Sequence, residues 1–138
     1  MIRKQIEVTA AIIVENGKVL ATQRSDGYQK DKWEFPGGKV EKDETAEHAV
    51  VREIQEELNI TVKPEFLLHT VEYDYPNFHL TMHCFISSIT EGKIELKEHE
   101  DARWLLPSEL DSVQWLPADV EVAQKIKEYL EERIKSKE

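Results

Sequence analysis

Gly38 to Ile60 reads GKVEKDETAEHAVVREIQEELNI, and the placing of its acids decides the architecture. Thr45 to Leu58 has neither Gly nor Pro, and its apolar residues recur at helical spacing, which predicts a helix. Between Glu41 and Glu57 stand Glu41, Asp43, Glu44, Glu47, Glu53, Glu56 and Glu57, with only Lys42 and Arg52 as bases. By composition this is an ordinary solvated helix face. The angles argue otherwise. At roughly 100° per residue, with Ala46 at zero, Val50 lies near ~40°, Ile54 near ~80°, Leu58 near ~120° and Ala49 near ~300°. Glu57 falls near ~20°, inside that apolar sector, with Glu53 near ~340° and Glu56 near ~280° beside it. Two carboxylates about 5 Å apart at an effective dielectric of about 20 repel by roughly 3 kcal/mol, and desolvation adds to this.

Arg52, near ~240°, adjoins Glu56 and is remote from Glu57, so it cannot neutralise the whole set. Protonation is one escape, since close carboxylates raise each other's pKa. A divalent cation is the better one at neutral pH. Hard oxygen ligands suit Mg²⁺ or Mn²⁺ and disfavour zinc. His48, His69, His79, His83 and His99 are scattered without zinc-ligand spacing and are not candidate ligands.

Upstream of this helix, Ile6 to Val14 is β-rich and is followed by Asn16-Gly17 and Val19-Leu20-Ala21. That order predicts a hairpin, because a type I′ turn needs positive φ at both central residues. Ser25 to Lys32 reads as a loop, and Trp33-Glu34-Phe35 as a short extended piece stopped at Pro36-Gly37-Gly38. Downstream, Phe66–Tyr73 and Leu80–Ile89 read as strands joined through Asp74-Tyr75-Pro76-Asn77, and Arg103–Leu106 as another. Val120 to Ile134 predicts a second helix, with Ala123, Ile126, Leu130 and Ile134 as its apolar stripe. Strands, helix, strands, helix is an α/β pattern, and a mixed sheet between helices accommodates it.

The chain has 138 residues, which suggests one domain over 1–138. With 18 Lys and Arg against 28 Asp and Glu, its net charge of -10 repels a phosphate backbone and makes nucleic acid an improbable partner. A small anionic substrate stays compatible if a bound cation inverts the local field. One cysteine, Cys84, excludes an internal disulfide framework. Charges near Met1 and the lack of a long apolar run predict neither secretion nor a membrane partner, hence a cytoplasmic protein. Monomer and homodimer are both open.

Residues 38–60 resemble the Nudix box, G-x5-E-x7-R-E-U-x-E-E-x-G-U with U aliphatic. Gly38, Glu44, Arg52, Glu53, Glu56 and Glu57 occupy its fixed positions. Asn59 stands where the family has Gly, a mild departure because Asn tolerates the left-handed conformation next best. The resemblance implies the family's α/β/α sandwich across the chain. Thr22-Gln-Arg24, Trp33-Glu-Phe-Pro-Gly-Gly38, Tyr75-Pro-Asn-Phe-His79, Trp104-Leu-Leu-Pro-Ser-Glu-Leu110 and Trp115-Leu-Pro-Ala-Asp119 look like the MutT-type branch, which includes oxidised-nucleotide and CTP pyrophosphohydrolases.

The resemblance also implies roles. Glu53, Glu56 and Glu57, with the Gly37 carbonyl, would hold Mg²⁺ or Mn²⁺, and Glu53 would orient or deprotonate the attacking water. Arg52 would orient the carboxylates. Glu44 would tie the preceding loop to the helix, or serve simply as an acid at its N-terminus. Glu98 is chosen as a further ligand from its distance to Trp104, with Glu100 as runner-up. Arg24 would hold phosphate or base, Phe35 and Phe78 would stack on the base unless they are core, and Asp119 would read the base, cap the second helix at Val120, or both. An Asp accepts from an exocyclic amine where an Asn both donates and accepts, which keeps cytosine nucleotides open beside oxidised guanine. The implied activity is hydrolysis of a nucleoside triphosphate to a monophosphate and pyrophosphate. Hydrolysis of ADP-ribose or another nucleoside diphosphate derivative, and a non-catalytic nucleotide sensor, are the alternatives. The intact box carboxylates argue against the sensor.

Overall fold

The computed structural model describes residues 3–27 and 29–136. Strand β1 (Lys4–Glu15) is the spine. Its period of two sends Ala10 and Ile12 to one face and Ala11 and Ile13 to the other, and all four are buried. Both sheet faces must therefore be covered. Asn16 (φ 53) and Gly17 (φ 76) both turn left-handed, as the hairpin demands, and lead into β2 (Lys18–Arg24).

Two short strands follow: β3 (Trp33–Glu34), paired with β2, and β4 (Gly37–Lys39), paired antiparallel with β1. The Pro36-Gly37-Gly38 stretch does not stop the extended chain but transfers it from one strand to the next. The glycines answer to close approach. A Cβ on Gly37 would collide with the Thr9 carbonyl oxygen, and one on Gly38 with the Glu53 carboxylate.

Helix α1 (Ala46–Leu58) starts at Thr45, whose hydroxyl accepts from the His48 N–H at 3.1 Å. It ends at Asn59, left-handed at φ 58, whose N–H donates to the Gln55 carbonyl. Its buried residues are Ala49, Val50, Ile54, Leu58 and Glu57, the carboxylate in the apolar stripe.

Strand β5 (Thr61–Tyr75) pairs antiparallel with β6 (Phe78–Glu91), and β6 runs parallel to β1. β5 begins earlier than its apolar pattern suggests and contains Pro64. It is an edge strand with register shifts on either side of that region, so the missing N–H breaks few ladder bonds. Strand β7 (His99–Leu105) pairs with β2 and also starts earlier than expected, taking in much of the acidic segment. A 3₁₀ turn (Pro107–Ser112) leads to α2 (Pro117–Ser136). α2 opens with a proline at its first position, so Asp119 lies in its first turn and not before it. Ile134, expected in the apolar stripe, is 52% exposed near the helix end.

The result is a mixed sheet between two helices. Val50, Ile54 and Leu58 pack on Leu20 and Phe85 on one face, and Val122, Ile126 and Leu130 pack on Ile12 and Met82 on the other. No helix among the described residues is long and apolar enough to cross a membrane. Because the αL residue after α1 is an Asn, Asn59→Gly should preserve or slightly raise stability. Asn59→Val should lower it by about 1–2 kcal/mol, since a β-branched residue is strained there. Urea denaturation of the three proteins checks this, and equal midpoints would contradict it.

Candidate active site

Arg52 is the organising cation of the box. Its Nε and Nη2 donate to the two oxygens of Glu44 at 2.8 and 2.9 Å, Nη1 donates to Glu53 at 2.8 Å, and Nη2 also reaches the Lys39 carbonyl at 3.0 Å. Glu44 in turn accepts from the Glu41 N–H. Loop, strand β4 and helix α1 are thus drawn to one guanidinium, whose planar array of donors suits two carboxylates at once. That guanidinium holds the Glu44 carboxyl well below the usual carboxylate range.

Glu57 lies beyond this reach. Burial pushes its carboxyl up to about 9, the nearby charges of Glu53, Glu98 and Glu34 add to the rise, and the Gly37 N–H facing it opposes it. Its Oε2 is buried with no hydrogen-bond partner among the described residues. Glu53 is also raised by burial, against the pull of Arg52.

The end of α1 brings in the last acid. Its free carbonyls at Glu57 and Leu58 accept from the N–H groups of Lys97 and Glu95. This lays the segment before β7 along the helix end and sets Glu98 in the same cleft as Glu57. The Ser25 hydroxyl anchors the Glu98 carbonyl at 2.7 Å. Glu98 lines the cleft and Glu100 does not.

The cleft has a volume of about 900 Å³ and is bordered by Gly37, Gly38, Glu57, Glu98 and Arg24 on its polar side and by Phe78, Leu80 and Met82 on its apolar side. Glu53 lies against Gly38 and, like Glu56, falls outside this lining. The Glu56 side chain is 57% exposed and turned toward Arg52 at 3.4 Å. Among the described residues no three acid or imidazole side chains already close on a common point. Glu53, Glu98 and Glu34 lie close enough to act on Glu57 without forming a finished cage.

At the other end, Asp119 is buried and accepts from the Phe35 N–H at 2.9 Å. Strand β3 exchanges hydrogen bonds with the chain before α2, Trp33 with Gln114 and Leu116, which brings the two together. Burial drives the Asp119 carboxyl up to about 8. Phe35 is 3% exposed and stacked on Trp115 at 4.5 Å, so one face of its ring is taken and much of it is core. Phe78 stacks on Tyr75 at 4.9 Å and is only partly buried. Arg24 Nη1 pairs with Glu34 at 3.2 Å.

Two residues here were not singled out by the sequence: Glu34, on β3, and His99, whose side chain is 6% exposed and lies near both Glu34 and Glu57. Strand alternation carries a signal for Glu34, since it lies between inward-facing Trp33 and Phe35. His99 has only its place beside Glu98.

The raised carboxyls have a pH consequence. The unfolded chain gives up both protons above about pH 4 to 4.5, while the fold keeps them until about pH 9 at Glu57 and about pH 8 at Asp119. The fold binds more protons through that window, so these groups lower stability as pH rises. In chelator, the melting temperature should fall from pH 6 to 9, and Glu57→Gln or Asp119→Asn should each flatten the slope. A slope untouched by both substitutions would refute the assignment.

A family model of the NUDIX domain matches residues 3–130. The chain is 36% identical over 126 residues to an 8-oxo-dGTP diphosphatase of Escherichia coli strain K12, covering 90% of this chain and 98% of that protein. It is 40% identical over 120 residues to a CTP pyrophosphohydrolase of the same organism, covering 85% and 87%. Among solved structures, a MutT protein from Methanosarcina mazei superposes with a TM-score of 0.80 at 26% identity, over 98% of this chain and 99% of that one. The fold, with its mixed sheet and helices, matches these relatives, and the box helix places Glu57 in the cleft lining. The chain belongs to the Nudix family and is a hydrolase acting on pyrophosphate bonds.

Proposed function

We propose that the protein hydrolyses a nucleoside triphosphate, an oxidised or a cytosine nucleotide, to the monophosphate and pyrophosphate with the help of a divalent cation. The observation that carries this reading is the buried Oε2 of Glu57, without a hydrogen-bond partner among the described residues and close to Glu53, Glu98 and Glu34, in the lining of a nucleotide-sized cleft. An all-oxygen donor set suits Mg²⁺ or Mn²⁺. Glu53, Glu56, Glu57, Glu98 and the Gly37 carbonyl are the groups that would hold it. When bound, the cation supplies the positive charge that a chain of net charge -10 lacks toward phosphate oxygens.

The protein's own part is positioning and proton handling. Arg52 fixes Glu53 against Gly38 and ties it through Glu44 to the loop, so that the Glu53 carboxylate can orient or deprotonate the attacking water. Arg24, held by Glu34, faces the cleft as a phosphate or base contact. Phe78, Leu80 and Met82 make an apolar bed for a base.

Asp119 supports a wider choice of base than its charge suggests. Neutral below about pH 8, its carboxyl has an O–H to donate as well as an oxygen to accept, much as an amide has. One oxygen is engaged by the Phe35 N–H. A neutral Asp119 therefore suits guanine-type as well as cytosine edges, which accords with the substrates named for the two Escherichia coli relatives.

Nucleoside monophosphate formation with Mg²⁺, measured over 8-oxo-dGTP, dGTP, CTP, dCTP and ADP-ribose, with pyrophosphate as the co-product expected of the triphosphates alone, tests the reading. Turnover of one or more triphosphates supports it. Hydrolysis of ADP-ribose alone, or tight binding without turnover, overturns it in favour of a diphosphate hydrolase or a sensor. Glu53→Gln should lower kcat on the order of 10³-fold with the fold intact. Asp119→Ala should reorder the substrates while Asp119→Asn keeps the wild-type ranking. If Asn scrambles the ranking as badly as Ala, Asp119 reads the base as an anion instead.

A further inference from the structure

His99 stands where three elements meet. It pairs with Arg24 at the end of β2, and Glu34 lies on the other edge of that strand, against Thr22. Glu57 reaches the same strand end from α1. The imidazole Nε2 is 3.6 Å from Glu34 Oε2 and 3.9 Å from Glu57 Oε2. The second oxygen of Glu34 accepts from Arg24 Nη1 at 3.2 Å. A row thus crosses the cleft floor, guanidinium to carboxylate to imidazole to carboxylate.

The two imidazole separations exceed a hydrogen bond, so Nε2 is a close polar neighbour of both carboxyl groups and bonded to neither. Nδ1 is buried with no partner among the described residues. Packing alone does not explain a histidine here, because an apolar side chain would fill the volume without stranding a nitrogen from water.

We propose that His99 is a positioning residue, holding Glu34 and Glu57 at a set separation so that Arg24 and the carboxylate site engage one triphosphate together. The inference rests on the reading of the cleft as the nucleotide site. Without the imidazole, the two carboxyl groups lose their shared polar neighbour and are free to reorient. Arg24 follows Glu34, and Glu57 loses its orientation.

The test compares His99→Ala, His99→Leu, His99→Gln, Arg24→Ala and the Arg24→Ala/His99→Ala double variant. Steady-state kinetics give KM and kcat, and calorimetric titration of the nucleotide-free proteins gives the Mn²⁺ Kd. His99→Ala and His99→Leu should each raise both KM and the Mn²⁺ Kd by about tenfold, the scale of losses at groups that orient ligands, with kcat at saturation within about threefold. His99→Gln, whose amide N–H extends toward the place of Nε2, should recover most of both. The double variant should show a KM little worse than the poorer single one. His99→Leu is the safeguard where His99→Ala fails to fold, because it fills the volume without the nitrogens. Wild-type constants in folded His99→Leu, or additive KM losses in the double variant, would overturn the proposal. A wild-type protein that turns over no nucleotide would remove the underlying site reading instead, whereas wild-type turnover with indifferent His99 variants removes this inference alone.

Discussion

A carboxylate placed in the buried stripe of a helix cannot be both charged and alone. Glu57 is such a group. The turn that places it inward also places Val50, Ile54 and Leu58, so moving it to solvent would move the core with it. The fold meets this constraint by surrounding Glu57 with further acids, with the His99 imidazole beyond hydrogen-bond reach at 3.9 Å. Away from water such a choice is costly, and the proposed divalent cation would offset that cost.

The rest of the site follows from keeping those acids together. Arg52 neutralises Glu44 and steadies Glu53 while staying clear of Glu57. Gly37 and Gly38 let β4 press against β1 and the Glu53 carboxylate at distances no side chain would allow. The backbone after β6 caps the end of α1 and delivers Glu98 in doing so. Stability and the proposed site use the same contacts here, since the hydrogen bonds that end a helix also place the acid proposed as a further ligand.

Much of this was legible in the sequence. The helical angles put Glu57 inside the apolar sector, Asn16-Gly17 marked the hairpin, and Asn59 marked the left-handed end of α1. These are local signals, and local physics decided them. What the sequence hid depends on pairing at long range. β7 took up His99 because β2 offered it a partner, and Pro64 entered a strand because β5 is an edge. Asp119 was legible as a base-reading candidate, whereas its place in the first turn of α2 depended on Pro117 starting the helix. Glu34 and His99 gained significance only when two strands flanked β2 and α1 closed over its end. A lone acid or histidine carries no such information along the chain.

The central claim is that the Glu57 carboxyl, which burial and its acidic neighbours keep protonated near neutrality, gives up that proton to a divalent cation. Calorimetric titration with Mn²⁺ at pH 7, repeated in buffers of different ionisation enthalpy, counts the protons displaced. The account predicts about one proton released per cation bound by the wild-type chain, because the carboxyl is pushed up to about 9, and no such release from Glu57→Gln. Cation binding to the wild-type chain without proton release, or no binding at all, would contradict it.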